Sequence, residues 1–152
     1  MKIRNYQSTD ILAIRRLFKR TVLQINAADY TPQQLTAWIG PDNEQVAAAW
    51  QKSLAAHTAL VAVQADQIVG FADMSASGYL DRLYVDADCQ RQGIATTLVA
   101  ELESQVDCER YTTAASITAR PFFESRGYQV VQAQCVVRAG IQMTNYLMAK
   151  PG

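Results

Sequence analysis

The sequence predicts an α+β (mixed α/β) domain, a mixed central sheet with flanking helices. Three observations predict it. Apolar residues recur every three or four positions through much of the chain before His57, and β-rich runs follow it. Hairpins on either side of a single strand–helix–strand crossover call for both antiparallel and parallel pairing. A chain of 152 residues with 49% hydrophobic content suits one domain, residues 1–152, with a sizeable core.

Lys2–Tyr6 reads as a short first strand. Ser8, Thr9 and Asp10 offer N-caps for a helix through about Ile25, with Ile11, Ile14, Leu17, Phe18 and Val22 on one stripe. Thr31-Pro32 starts a second helix, a capping hydroxyl followed by proline at the first helical position. It carries Leu35 and Trp38 and ends near Gly40-Pro41. A third helix runs from about Asn43 to Ala55, with Val46, Trp50 and Leu54 at four-residue spacing. Thr58–Val63 and Ile68–Met74 form a hairpin around Ala65-Asp66-Gln67. After a turn at Ser75–Gly78, Tyr79–Val85 is a further strand. The next helix begins near Gly93 and aligns Ile94, Leu98 and Leu102. Tyr111–Ala115 is a strand, and Thr118–Arg126 a short helix closed by Gly127. Two last strands, Gln129–Arg138 and Ile141–Ala149, are joined by Ala139-Gly140.

Composition removes several function classes. Lys plus Arg and Asp plus Glu are 14 each, so no global basic field draws nucleic acid. No apolar run approaches the roughly 20 residues that cross a bilayer, and the N-terminus lacks a signal-peptide apolar region. Cys89, Cys108 and Cys135 are far apart and odd in number, which fits reduced thiols and a cytoplasmic location. A single histidine, His57, argues against a metal site.

The stretch from Leu83 to Leu98 carries chemistry. A strand ending in Leu83-Tyr84-Val85 runs into a polar loop, and Gly93-Ile94-Ala95-Thr96 opens an amphipathic helix. The first turn of a helix leaves N–H groups unpaired and a partial positive charge. Gly93 and Ala95 let a ligand come close, and Gln90, Arg91 and Gln92 add donors beside it. Such a start suits a phosphate or pyrophosphate. A glycine that only begins a helix gives the same pattern, and neither GxxxxGK[ST] nor GxGxxG is present. The residues alone leave both readings open.

Gln90-x-x-Gly93-x-Ala95 resembles the (Q/R)xxGx(G/A) signature of the GNAT superfamily of N-acetyltransferases. The run Ala119-Arg120-Pro121-Phe122-Phe123-Glu124-Ser125-Arg126-Gly127-Tyr128 resembles that family's A-x-x-F-Y-E-x-x-G-F block. Tyr30-Thr31-Pro32-Gln33-Gln34 is similar to the second-helix start of its YafP-like bacterial branch. The resemblance implies the acyl-CoA N-acyltransferase fold, with parallel strands Tyr79–Val85 and Tyr111–Ala115 splayed apart. Acetyl-CoA, the co-substrate, would lie between them. Leu83, Tyr84 and Val85 would flank its pantetheine arm, Leu83 and Val85 through backbone hydrogen bonds. Gln90 and the backbone from Arg91 through Gln92, Gly93, Ile94 and Ala95 to Thr96 would hold the pyrophosphate. Ser116, Phe122 and Phe123 would border the cofactor. The acceptor implied is a small-molecule or peptide amine, with no nucleic acid or membrane partner and a homodimer left open.

One departure matters. Many members carry Tyr where this chain has Phe123, which cannot protonate a departing thiolate. Tyr146 and Tyr79 are the substitutes in the sequence, and a thiolate also leaves unaided. Asp81 lies mid-strand beside the expected splay, where an amine must lose a proton. It is the candidate base, and an ion pair with Arg82 is the competing role. His57 at a strand start is expected at the surface, and Cys89 is expected to be a bystander thiol without a base. The loss of the tyrosine also keeps a second function open, a non-catalytic acyl-CoA-binding or partner-binding module.

Overall fold

A computed structural model describes residues 1–152. The strands are β1 (Lys2–Asn5), β2 (Thr58–Gln64), β3 (Gln67–Met74), β4 (Tyr79–Val85), β5 (Arg110–Ser116), β6 (Gln129–Arg138) and β7 (Ile141–Pro151). The helices are α1 (Ile11–Gln24), α2 (Pro32–Ile39), α3 (Glu44–Ala56), α4 (Ile94–Gln105) and α5 (Arg120–Ser125). All seven strands form one sheet in the order β1-β2-β3-β4-β5-β7-β6. Only β4 and β5 pair in parallel. The mixed sheet expected from the hairpins and the crossover is the sheet observed.

Boundaries differ where side chains intervene. The first helix opens with a 3-10 turn at Ser8–Asp10, closed by reciprocal capping between Gln7 and Asp10. The Asp10 carboxylate also takes both arms of Arg4 at 2.9 and 3.0 Å, tying β1 to α1. Those bonds hold the Asp10 carboxyl below the usual carboxylate range. The helix expected over Thr118–Arg126 shortens to α5, because the Ser116 hydroxyl accepts the Ala119 N–H and keeps the preceding residues in a turn. Strands β5 and β7 extend to Arg110 and Pro151, which pair with each other.

The sheet buries both faces. On one, Ile94, Leu98, Val99 and Leu102 of α4 pack on Leu80 and Val85 of β4 and on Phe123 and Tyr128. Each fully buried side chain of this kind is worth about 1.5–3 kcal/mol over its exposed state. On the other, Ile14, Leu17, Phe18 and Val22 of α1 pack on Val61 and Phe71. Helix α4 comes close at Gly70, where a Cβ would meet Ile94 at 3.0 Å and Leu98 at 3.2 Å. That contact sets the start of α4 beside the end of β4.

Gly78 closes the β3–β4 turn at φ +89°. A Cβ there would lie 2.5 Å from the Cys108 sulfur and 2.9 Å from the Arg110 carbonyl. We expect Gly78→Ala to cost about 2–4 kcal/mol, from left-handed strain plus overlap with backbone that cannot rotate away. Denaturant unfolding of the two proteins measures it, and a loss under about 0.5 kcal/mol contradicts the account.

Candidate functional site

The site begins where the sheet opens. Strands β4 and β5 are joined at only two parallel pairs, Tyr79 with Thr112 and Leu80 with Thr113. The Thr113 hydroxyl donates to the Leu80 carbonyl at 2.9 Å and closes the last joined position. Past it the strands part, and the β5-facing backbone of Arg82–Val85 has no strand partner. A cavity of about 360 Å³ fills the gap. It runs from the start of α4, past Leu83 and Val85, to Asp81 and to Asn26 and Trp38 on the α1–α2 side.

At one end lies the loop before α4. Arg91 and Gly93 both take left-handed backbone, with φ of +61° and +81°. No side chain caps α4. The first backbone bond of this turn runs from the Thr97 N–H to the Gly93 carbonyl, so the N–H groups of Ile94, Ala95 and Thr96 lie in the first turn. A Cβ on Gly93 would meet nothing within 4 Å, so the turn is open on that side. The loop is held from behind. Arg20 of α1 pairs with Asp86 at 3.1 Å and Asp88 at 2.5 Å, and the Thr21 hydroxyl donates to the Val85 carbonyl at 3.0 Å. Gln90 donates to the Val85 and Asp86 carbonyls at 2.7 and 3.3 Å. The Gln90 amide is therefore engaged with the loop's own carbonyls, and its side chain fixes the shape of the loop.

At the other end, β4 carries a bulge. Met74 pairs with Leu80 and Asp73 with Arg82, which leaves Asp81 as the extra residue. Bulges re-aim side chains and often sit beside active sites. Here Asp81 lines the cavity, and Arg82 pairs across to Asp73. Arg82 bonds Asp73 at 2.6 Å and Ser53 at 3.1 Å, stacks over Trp50 at 4.6 Å, and reaches Asp81 only at 3.6 Å. Asp73 is fully buried and also meets His57 Nδ1 at 2.8 Å. Thus Asp73, unremarked in the sequence, is the principal partner of Arg82. His57 is half-buried in the same network rather than free at the surface. Three potential ligands, His57, Asp73 and Asp81, lie within 4.8 Å of one another. The Arg82 guanidinium already supplies the cation among them.

Aromatic residues pack on the α1–α2 side of the cavity. Tyr84 sets its ring against Phe18 at 5.0 Å and Phe71 at 5.6 Å. Burial pushes its hydroxyl up to about 12, so Tyr84 stays protonated and is no base. The Tyr30 hydroxyl takes the Ile117 N–H at 2.9 Å and donates to the Thr144 carbonyl at 2.7 Å, fastening the segment before α2 to β7 and to the residue that follows β5.

Sequence comparison agrees with this architecture. The acetyltransferase (GNAT) domain family matches residues 26–150. The chain belongs to the GNAT acetyltransferase family. It is 37% identical over 151 residues to the uncharacterized N-acetyltransferase YafP of Escherichia coli (strain K12), covering 97% of this chain and 94% of that one. The resemblance to the YafP-like branch is borne out. The crystal structure of a GCN5-related N-acetyltransferase from Rhodopseudomonas palustris superposes with a TM-score of 0.93 at 28% identity, over 99% of this chain and 95% of the other. The PaiA N-acetyltransferase of Thermoplasma acidophilum, solved in complex with coenzyme A, superposes at 0.79 with 15% identity, over 99% and 98%. That last likeness is one of fold.

The GNAT cavity gathers most of the residues expected at the cofactor. Leu83, Tyr84, Val85, Gln90, Arg91, Gly93, Ile94, Ala95, Thr96, Ser116, Phe122 and Phe123 all line it, and so does Asp81. Gln92 does not; it is exposed. Tyr146 is also off the lining. Its ring lies under the Arg120 guanidinium at 4.6 Å and packs on the core. Phe123 is 2% exposed and edge-on to Phe122 and Tyr128. The neighbouring Tyr128 hydroxyl donates to Glu103 at 2.9 Å. No helix is long and apolar enough to cross a membrane.

Proposed function

We propose that this chain moves the acetyl group of acetyl-CoA to a primary amine of a small molecule or peptide by direct attack. The opening between β4 and β5 carries the reading. It offers unpaired strand backbone to an extended pantetheine arm and ends at the uncapped start of α4, where a pyrophosphate is favoured. The amine nitrogen attacks the thioester carbonyl, the C–S bond breaks, and CoA leaves as thiolate. The proton lost by nitrogen goes to Asp81. Backbone N–H of β4 faces the carbonyl oxygen as charge builds on it. Positioning two bound reactants supplies much of the rate. No general acid is assigned, because a thiolate is stable enough to leave unprotonated.

Cys89 lines the cavity, yet burial and the carboxylates of Asp86 and Asp88 push its thiol up. A suppressed thiolate is a poor nucleophile, which favours direct transfer over an acetyl-cysteine. Calorimetry with acetyl-CoA, followed by thiol release across an amine panel, tests the reading. We expect binding below about millimolar concentration and sequential kinetics. Absence of binding at millimolar acetyl-CoA, or ping-pong kinetics, overturns it. Binding without turnover on any amine favours a non-catalytic acyl-CoA-binding module, the reading that Phe123 motivates.

A further inference from the structure

We propose that Asp81, Arg82, Asp73 and His57 act as one proton-sharing cluster, and that His57 is the outlet through which the acceptor's proton leaves. The inference rests on the reading of Asp81 as the base. It adds what happens to the proton after Asp81 takes it.

The cluster links two cavities. Asp81 lines the cavity between β4 and β5. His57 lines a second one, about 470 Å³, with Asn5, Tyr6, Ser8, Gln51 and Gln105 on its wall. Between them stands Asp73, wholly buried, one oxygen shared by His57 at 2.8 Å and Arg82 at 2.6 Å. Its other oxygen, Oδ1, is buried and accepts no hydrogen bond. A carboxylate left half satisfied in a fully buried position is costly unless a neighbouring positive charge needs it. Arg82 is one such charge and a protonated His57 is the second.

Charge counting points the same way. With His57 neutral, two carboxylates face one guanidinium, so the cluster carries one negative charge in excess. One added proton neutralises it. Burial also pushes the Asp73 carboxyl up against the pull of Arg82 and His57. The surrounding titratable groups are few. Tyr79 of β4 faces Asp81, Arg138 and Asp73, Tyr84 faces Arg138, Arg82 and Asp81, and Tyr6 lies on the far wall, its hydroxyl bonded to Gln51. The proton moves from the acceptor nitrogen to an Asp81 oxygen, then to the imidazole across a gap one water spans. The imidazolium forms against Asp73 on Nδ1 and releases the proton into the second cavity. Asp81 returns to carboxylate. His57 acts through Asp81 and is a positioning and relay residue.

The chain's single histidine makes the test direct. Imidazole NMR signals are followed between about pH 5 and 9 in the resting protein and in Asp81→Asn. Removing a nearby negative charge disfavours imidazolium, so the His57 midpoint should fall by about half a unit or more in the variant. A midpoint that moves by less than about 0.2 unit overturns the shared cluster. In turnover, His57→Gln keeps a donor toward Asp73 and should lower kcat about tenfold, with acetyl-CoA affinity unchanged and part of the rate restored by added imidazole. Normal kcat in His57→Gln overturns the outlet. Because the NMR comparison needs no substrate, it stands even if no amine is acetylated, an outcome that sinks the reaction and not the coupling.

Discussion

Gly93→Asp should abolish acetyl-CoA binding while leaving the fold intact. The backbone at Gly93 has φ +81°, a region that Asp tolerates better than most residues, at roughly 1 kcal/mol. A Cβ there meets nothing within 4 Å, so no protein atom must move. The variant should therefore lose little stability. Binding is a different matter. The side chain projects into the open side of the α4 start, the place assigned to the pyrophosphate, and it brings negative charge to the same partial positive end. Like-charge juxtaposition and displaced phosphate contacts together should raise Kd at least about 100-fold, roughly 3 kcal/mol. Gly93→Asn separates the causes. It has the same shape and no charge, so it should lose clearly less affinity than Asp. Calorimetry on both variants decides. Retained acetyl-CoA affinity in Gly93→Asp places the phosphates elsewhere and removes this site from the reading.

Much of the fold was legible because its signals are local. The capped start at Thr31-Pro32, the α1 stripe and the β6–β7 turn at Ala139-Gly140 each depend on neighbours in sequence. The loop before α4 was legible for the same reason: a strand, a glycine and a helix start are consecutive. The surroundings of Asp81 were not. Asp73 sits in an apolar strand, and such a residue demands a partner. Continuing the Met74–Leu80 pair in plain hairpin register would set Asp73 opposite Asp81, a like-charge pair. Only the bulge shifts the register by one residue and delivers Arg82 instead. A bulge leaves no mark in the period of hydrophobicity, so the Asp73–Arg82–His57 network stayed hidden. Tyr146 shows a related limit. Strand alternation says that it faces one side of the sheet, yet not whether Arg120 or a cavity lies above it. Gln90 shows the reverse case: it lies in the loop before α4 as expected, and its amide donates to the loop's own carbonyls.

Asp81→Asn should cut turnover by about 10²–10⁴-fold, the usual range for a general base, with little change in acetyl-CoA affinity. Asn keeps the shape at the bulge and loses the proton acceptor. The competing role, an ion pair with Arg82, predicts the opposite pattern, and the geometry weighs against it. Arg82 stands 3.6 Å from Asp81 and 2.6 Å from Asp73, and Ser53 and Trp50 hold it as well. Removing a partly exposed charge at that distance should cost at most about 1 kcal/mol of stability. Asp73→Asn is the contrast, because it strips the partner from Arg82 in the core and should destabilise by about 3–5 kcal/mol. The pH profile adds a sign. A base works only when deprotonated, so the rate of the parent protein should rise with pH along an acidic limb. That limb should vanish in Asp81→Asn, whose residual rate depends on the substrate amine alone. If the limb survives the substitution, or if stability falls while turnover holds, Asp81 is an ion-pair partner and the base lies elsewhere on the acceptor side.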